Sequence, residues 1–366
     1  MNDTASTSLG WTWSDVDPAM HFASDYAEAR NKFLAAAKAR GLAIESNVHP
    51  HERGPDNEAL AIDVAVLGNA AASDALLITS GTHGAEGFCG SGCQVALLAD
   101  DAFVATVAKS NVAIILLHAL NPYGFAHLSR TTEGNVDLNR NFRDFAWRES
   151  NAKYVEVHDF MVPSTWPPAR ENEARMMMYV AAHGAFALQQ AVSAGQSDRA
   201  DGLFYAGTEA SWSQKVLRAL LRKSVASKKR LGWIDIHTGL GPCGHGEKIF
   251  AGPNNGAMLA RTRCWWGADV TSIYDGSSTS ALVEGTICCA AKDECPATEY
   301  TAIALEYGTK SYFDVMNALR ARQWLTNHPD AAPAQRDAIL RAIRDAFYVD
   351  TPAWKAMVFA QARVAA

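Results

Sequence analysis

No stretch of this sequence reaches the roughly 18–20 uncharged apolar residues of a transmembrane helix, so a membrane span is not expected. The residues from Met1 to Asp17 are polar and lack a basic region followed by an apolar one, which argues against a secretory signal. Cysteine is sparse. The seven present include no C-x-x-C pair, which argues against a disulfide framework or a cysteine-rich zinc module. No long Lys/Arg run or basic-aromatic stretch is present, and the net charge is -6, so nucleic acid is not an expected partner. The short Lys228-Lys229-Arg230 run reads as a solvated helix end. Without a G-x-S-x-G string, a serine-hydrolase elbow is set aside. These absences point to a cytoplasmic protein made without a signal peptide.

What is present is ordinary globular material, 366 residues at 48% hydrophobic and 20% charged, enough for a large buried core. Residues 22–40 are alanine-rich and helix-like, with Gly41 as the stop. Two strands follow at 43–49 and 59–67, then a buried strand at 76–80, a helix near 91–100 and a strand at 112–118. Further on, 170–192 and 212–227 read as helices, 231–237 as a strand, and another strand ends at Glu306. Alternating apolar strands and helices predict an α/β fold with a mainly parallel, doubly wound sheet. One domain over 1–366 is expected, with a helical insertion around 145–230 and a helical tail around 310–364. The Met176–Met178 run, the Cys89/Cys93 pair and the cysteines Cys288, Cys289 and Cys295 read as core packing.

Four apolar runs end in polar residues of chemically useful types. The first, Leu76-Leu-Ile-Thr-Ser-Gly-Thr, passes into His83-Gly-Ala-Glu86, an imidazole and a carboxylate three apart at a strand end. The others lead to the Asn121–Arg140 segment, to His237 and to Glu306. In open α/β sheets ligands bind beyond the carboxyl ends of the strands, so four such ends define one candidate site. His83, Glu86 and His237 supply two imidazoles and a carboxylate, the donor set of a catalytic zinc that keeps one position open. Asp235 points to the same side of its strand as His237, either to orient an imidazole or as a structural acceptor. Glu306, at the end of a buried strand, is the candidate general base. Arg130 is placed to polarise a carbonyl, and Asn139 with Arg140 to grip a carboxylate.

Together the segments His83-x-x-Glu86, Asn121-Pro-x-Gly124, Asp137-x-Asn139-Arg140-Asn141, His237 and Glu306 resemble the zinc carboxypeptidase superfamily over residues 60 to 310. The likeness is to a bacterial branch of largely unassigned substrate. The resemblance implies a mixed, roughly eight-stranded sheet sandwiched by helices. It implies one zinc ion on His83, Glu86 and His237, with Glu306 as general base. It further implies that Arg130 polarises the carbonyl and that Asn139 and Arg140 anchor a terminal carboxylate. Two features depart from that pattern. The stretch Leu282–Cys289 has no tyrosine where carboxypeptidases carry a mobile one, and Tyr274, Tyr300 and Tyr205 lie at other offsets. The string Asp235-Ile-His237-Thr238 is similar to the aspartoacylase and succinylglutamate desuccinylase branch, which cleaves N-acyl amino acids.

The expected activity is hydrolysis of an amide bond in a small peptide, or alternatively an N-acyl amino acid, with a free carboxylate. A catalytically silent carboxylate-binding protein is the competing class, and four intact catalytic-type residues count against it. A homo-oligomer is compatible with the sequence. The insertion is expected to roof the site, with Gly195–Gly207 either a lid or an ordinary connecting loop.

Overall fold

The computed structural model describes residues 17–146 and 150–366; the polar N-terminal stretch up to residue 16 and residues 147–149 of the expected insertion lie outside them. Eight strands form one sheet: β1 Ile44–Arg53, β2 Ala59–Leu67, β3 Asp74–Thr79, β4 Val112–His118, β5 Arg230–Cys243, β6 Gly246–Phe250, β7 Thr271–Ser272 and β8 Glu299–Gly308. Their order is β1-β2-β4-β3-β5-β8-β6-β7. The central pairings β4/β3, β3/β5 and β5/β8 are parallel, as is β6/β7 at the edge, while β1/β2, β2/β4 and β6/β8 run antiparallel. The sheet is thus mixed and α/β, as the sequence predicts.

The central strands are apolar on both faces because both are covered. Leu76, Ile78, Ile114, Leu116, Ile234 and Ile236 face one layer, which includes Phe33, Phe88 and Trp354 from flanking helices. Their neighbours Leu77, Ile115, Leu117 and Trp233 face the other, with Leu217, Leu220 and Leu221 of the helix Trp212–Ser224. The helix Gly87–Ala99 is buried almost all round, as expected for a helix apolar on every side. No single helix among the described residues is long and apolar enough to cross a membrane.

Several local readings differ from the structure. The predicted helix 170–192 is two, Arg170–His183 and Ala185–Ser193, broken at Gly184, whose φ of 88° ends the first. Of the methionine run only Met176 is buried; Met177 and Met178 are exposed, because the first of these helices packs by one narrow stripe. Cys289 is likewise exposed, whereas Cys89, Cys93, Cys288 and Cys295 are buried, and all are free thiols. Lys228 is no solvated helix end. It is buried, and its ammonium donates to the carbonyls of Ala70 and Ala72 at 2.6 and 2.7 Å. The tail folds as three helices, Tyr312–Asn327, Pro333–Phe347 and Pro352–Ala365.

Candidate metal centre

Where β3 ends, the chain turns through His83 and Glu86 into the buried helix Gly87–Ala99. Gly84 in this turn is sterically required: a Cβ there would lie 1.8 Å from the carbonyl carbon of Gly124. The His83 turn and the Asn121-Pro-Tyr-Gly turn therefore meet backbone to backbone. Asn121 caps its short helix by accepting from Gly124 N at 2.8 Å and donates to Arg130 O at 3.2 Å. Parallel register places His237 of β5 beside Glu306 of β8. Sheet and turns thereby bring all the predicted residues to one edge.

One donor atom from each of His83, Glu86 and His237 lies within 4.8 Å of the others, and all three residues are buried. Nδ1 of His83 is 2.8 Å from Glu86 Oε1, and Nδ1 of His237 is 3.0 Å from Oε2 of the same carboxylate. Both imidazoles thus present Nδ1 to one point. Behind them, Nε2 of His237 meets Asp235, and Nε2 of His83 lies 3.3 Å from Asp137 Oδ1 and 2.8 Å from Arg130 Nη2. Of these last two only Asp137 can accept the proton that Nε2 carries once Nδ1 is a ligand. Asp235 is itself held by the hydroxyls of Thr79 and Thr82, which donate to Oδ1 at 2.6 and 2.8 Å. Each candidate ligand histidine is therefore backed by a buried, oriented carboxylate, the usual outer layer of a metal site.

Charge also favours a cation here. Glu86, Asp137, Asp235 and Glu306 are all buried, with Arg130 and Arg140 as the guanidiniums beside them, so with both imidazoles neutral, as metal ligation requires, the four carboxylates outnumber the cations by two. A divalent ion closes that gap, so the residues present fit a metal. Burial opposes ionisation of Glu86, but the charges of His83 and His237 hold it well below the carboxylate range. Burial likewise works against the charge on Asp137, yet Arg130 and Arg140 keep it far below its ordinary value. His237 is raised despite burial, chiefly by Asp235.

Glu306 borders the same cavity, which has a volume of about 530 Å³. Its Oε1 accepts from Leu240 N at 2.9 Å. Burial first, and then the neighbouring charge of Glu86, push its carboxyl up to about 7. Arg130, Asn139 and Arg140 border the cavity too. Arg130 donates from Nε to Asp137 at 2.8 Å, and its Nη1 reaches Glu86 at 3.4 Å. Arg140 is buried, and its Nε and Nη2 both donate to Ser193 O, at 2.9 and 2.6 Å, at the end of the helix Ala185–Ser193. One Nη1 hydrogen goes to Asn139 O at 2.8 Å. Of its five N–H groups, one on each terminal nitrogen remains, a forked pair able to take a carboxylate. Burial lowers its pKa to about 10, which still leaves it charged near neutrality. Asn139 holds Ile287 N with Oδ1 at 2.9 Å.

Some contributors were not singled out by sequence reasoning. Phe204, distant in sequence, lies under both guanidiniums, 4.6 Å from Arg130 Cζ and 5.5 Å from Arg140 Cζ. Glu247, directly across from Glu306 in β6, is buried and accepts from Thr271 Oγ1 and Thr279 N at 2.5 and 3.1 Å. It thereby fixes the 271–286 loop that walls the cavity. That loop is also clamped from the helix Ala185–Ser193, where Gln189 and Gln190 donate to the carbonyls of Thr279 and Leu282, each at 3.0 Å. The helix Ala185–Ser193 thus borders the cavity through Gln189 and Ser193, and the Gly195–Gly207 segment contributes Phe204 to its lining. Of the tyrosines considered from sequence, Tyr274 borders the cavity with its hydroxyl bonded to Gly252 O at 3.1 Å.

The model of the family described as "Protein of unknown function (DUF2817)" matches residues 22–361. No curated protein matches by sequence. Among solved structures the chain is similar to a carboxypeptidase A from Helicoverpa armigera, at 15% identity and TM-score 0.43, over 87% of this chain and 73% of that one. It is similar to thrombin activatable fibrinolysis inhibitor at 12% identity and TM-score 0.45, over 93% and 73%. It is also similar to a succinylglutamate desuccinylase from Chromobacterium violaceum at 14% identity and TM-score 0.34, over 82% and 74%.

Proposed function

We propose that this chain, which belongs to the DUF2817 family, is a zinc-dependent hydrolase that cleaves an amide bond in a small substrate bearing a free carboxylate. The observation that carries the reading is the pair of Nδ1 atoms converging on Glu86, each imidazole backed by its own buried carboxylate, with Glu306 on the adjoining strand. A His/Glu/His set suits one zinc ion. Zinc bound there supplies Lewis acidity, acidifying water and polarising a carbonyl.

The protein's own groups do the rest. Glu306 has Oε1 engaged by Leu240 N, so Oε2 is the atom that accepts the proton of the attacking water and returns it to the leaving amine. Arg130, anchored through Nε on Asp137 and in contact with Glu86 and His83, has one further N–H on each terminal nitrogen to offer the developing oxyanion. Arg140 and Asn139 hold the substrate carboxylate through the forked N–H pair and the side-chain amide. A peptide and an N-acyl amino acid present the same amide and carboxylate to this machinery. The string Asp235-Ile-His237-Thr238 keeps the deacylase form as the second reading.

The test is the metal content of the purified protein, together with hydrolysis of dipeptides and N-acyl amino acids before and after chelation. Near-stoichiometric zinc and chelator-sensitive cleavage are expected, and the best substrate chooses between peptidase and deacylase. A protein that neither carries nor takes up zinc overturns the ligand assignment. Zinc-loaded protein that binds such carboxylates without cleaving them makes it a silent binding protein.

A further inference from the structure

Phe204 has a positive φ of 52°, a conformation foreign to bulky side chains and, where observed, a pointer to functional constraint. Its neighbours impose it. Leu203 N donates to Tyr154 Oη at 2.6 Å, Gln196 N to Phe204 O at 3.2 Å, and Asp137 N to Tyr205 O at 2.7 Å. The last of these bonds ties the segment to the residue that backs His83. The ring so fixed is 5% exposed and borders the cavity, with the guanidiniums of Arg130 and Arg140 over it. Arg140 is confined from another side as well: a Cβ on Gly195, whose φ is +89°, would stand 2.8 Å from Arg140 Cδ.

Two guanidiniums brought to one cavity repel each other, and an aromatic face between their positions attracts both. Arg140 has no carboxylate partner and is held by backbone carbonyls, while Arg130 is fixed on Asp137 through Nε and meets Glu86 only at 3.4 Å, so on each arginine at least one hydrogen per terminal nitrogen is left unassigned. A flat ring constrains the plane of each guanidinium, and therefore the direction of the donors left over.

We propose that Phe204 is a positioning residue for the Arg130–Arg140 pair, holding both guanidiniums in the orientation that receives a substrate carboxylate and the neighbouring carbonyl. This role rests on the hydrolase reading above for its substrate, but not for its geometry. Phe204 acts through the arginines.

The experiment uses the full chain in wild-type form and as Phe204→Leu, Phe204→Gly and Phe204→Tyr. The rate at which phenylglyoxal modifies Arg130 and Arg140 is followed by peptide mass spectrometry, and KM and kcat are measured on the best substrate of the panel. Leucine keeps bulk without the aromatic face. Glycine relieves the positive φ, so it decides the question if the leucine variant does not fold. Both are expected to speed modification of Arg130 and Arg140 about threefold or more, to raise KM about tenfold through Arg140 and to lower kcat through Arg130, while tyrosine stays near wild type. Wild-type labelling rates in the leucine and glycine variants, or a tyrosine variant as impaired as they are, overturn the proposal. If wild type cleaves no substrate in the panel the hydrolase reading falls, and the labelling rates still decide whether Phe204 positions the pair.

Discussion

Replacing Glu306 with glutamine separates proton transfer from everything else the site does. The carboxylate has one oxygen committed, Oε1, which accepts from Leu240 N at 2.9 Å, and one turned to chemistry. Glutamine can keep the first contact through its own carbonyl oxygen, and its volume is nearly the same, so the cavity wall and the β5/β8 register are retained. The second position becomes an NH2 group, which donates and cannot accept a proton. General-base assistance typically contributes 10²–10⁴ in rate, equivalent to about 3–5 kcal/mol of barrier, so kcat is expected to fall by roughly that factor. Glu306 is outside the His83, Glu86 and His237 donor group, so zinc content by plasma mass spectrometry should be unchanged. Substrate affinity by calorimetry should stay within about threefold, because Arg140 and Asn139 are untouched. Turnover within a factor of two of wild type, in a variant that holds its zinc, refutes the assignment of Glu306 as the base.

Asp235→Asn leaves the two threonine contacts possible but weakens the hold on His237 Nε2, and zinc affinity measured against a chromophoric chelator is expected to drop about 10–100-fold. An unchanged affinity would make Asp235 a structural acceptor only. Gly84→Ala drives a Cβ against the Gly124 backbone, which cannot yield as a side chain can; a loss of about 3 kcal/mol in urea unfolding is expected, and an unshifted midpoint refutes the backbone-contact argument. His118 is buried and stacked on Phe33, with Nδ1 unpartnered, and burial lowers its pKa to about 4. The unfolded chain takes up that proton near pH 6.5 and the folded one refuses it, so stability is lost as pH falls from about 6.5 to 4, by about 3 kcal/mol in all. His118→Gln should remove this part of the slope in urea midpoints taken across that range; parallel slopes for the two proteins would count against it.

What the sequence discloses about this site, and what it withholds, follows from how far each interaction reaches along the chain. Runs such as residues 112–117 are apolar at every position because the sheet is covered on both faces, so their ends, and the polar residues placed there, can be read directly. The candidate ligands His83, Glu86 and His237 and the candidate base Glu306 are legible for that reason. The capped turns are legible as well: Asn121-Pro and Asp137-x-Asn139 carry their own hydrogen bonds within three residues. Lys228 reads as solvated in the sequence because its partners, the carbonyls of Ala70 and Ala72, leave no mark on the local sequence. Glu247 carries no local signal although it stands opposite Glu306, since strand register is not visible from either strand alone.

Phe204 is the extreme case. An aromatic residue in a polar loop has no periodicity to betray it, and its relation to Arg130 and Arg140 exists only after the helices of the 145–230 segment have packed. That segment reaches the centre at three points: Ser193 O on Arg140, Phe204 under both guanidiniums, and Tyr205 O on Asp137 N. The proposed metal-ligand frame is thus built by the sheet and its nearest turns, while the proposed orientation of Arg130 and Arg140 rests on a helical segment far away in sequence. Changes in that segment are therefore expected to alter which carboxylates bind while leaving zinc affinity unchanged, so substrate preference can vary without rebuilding the metal centre.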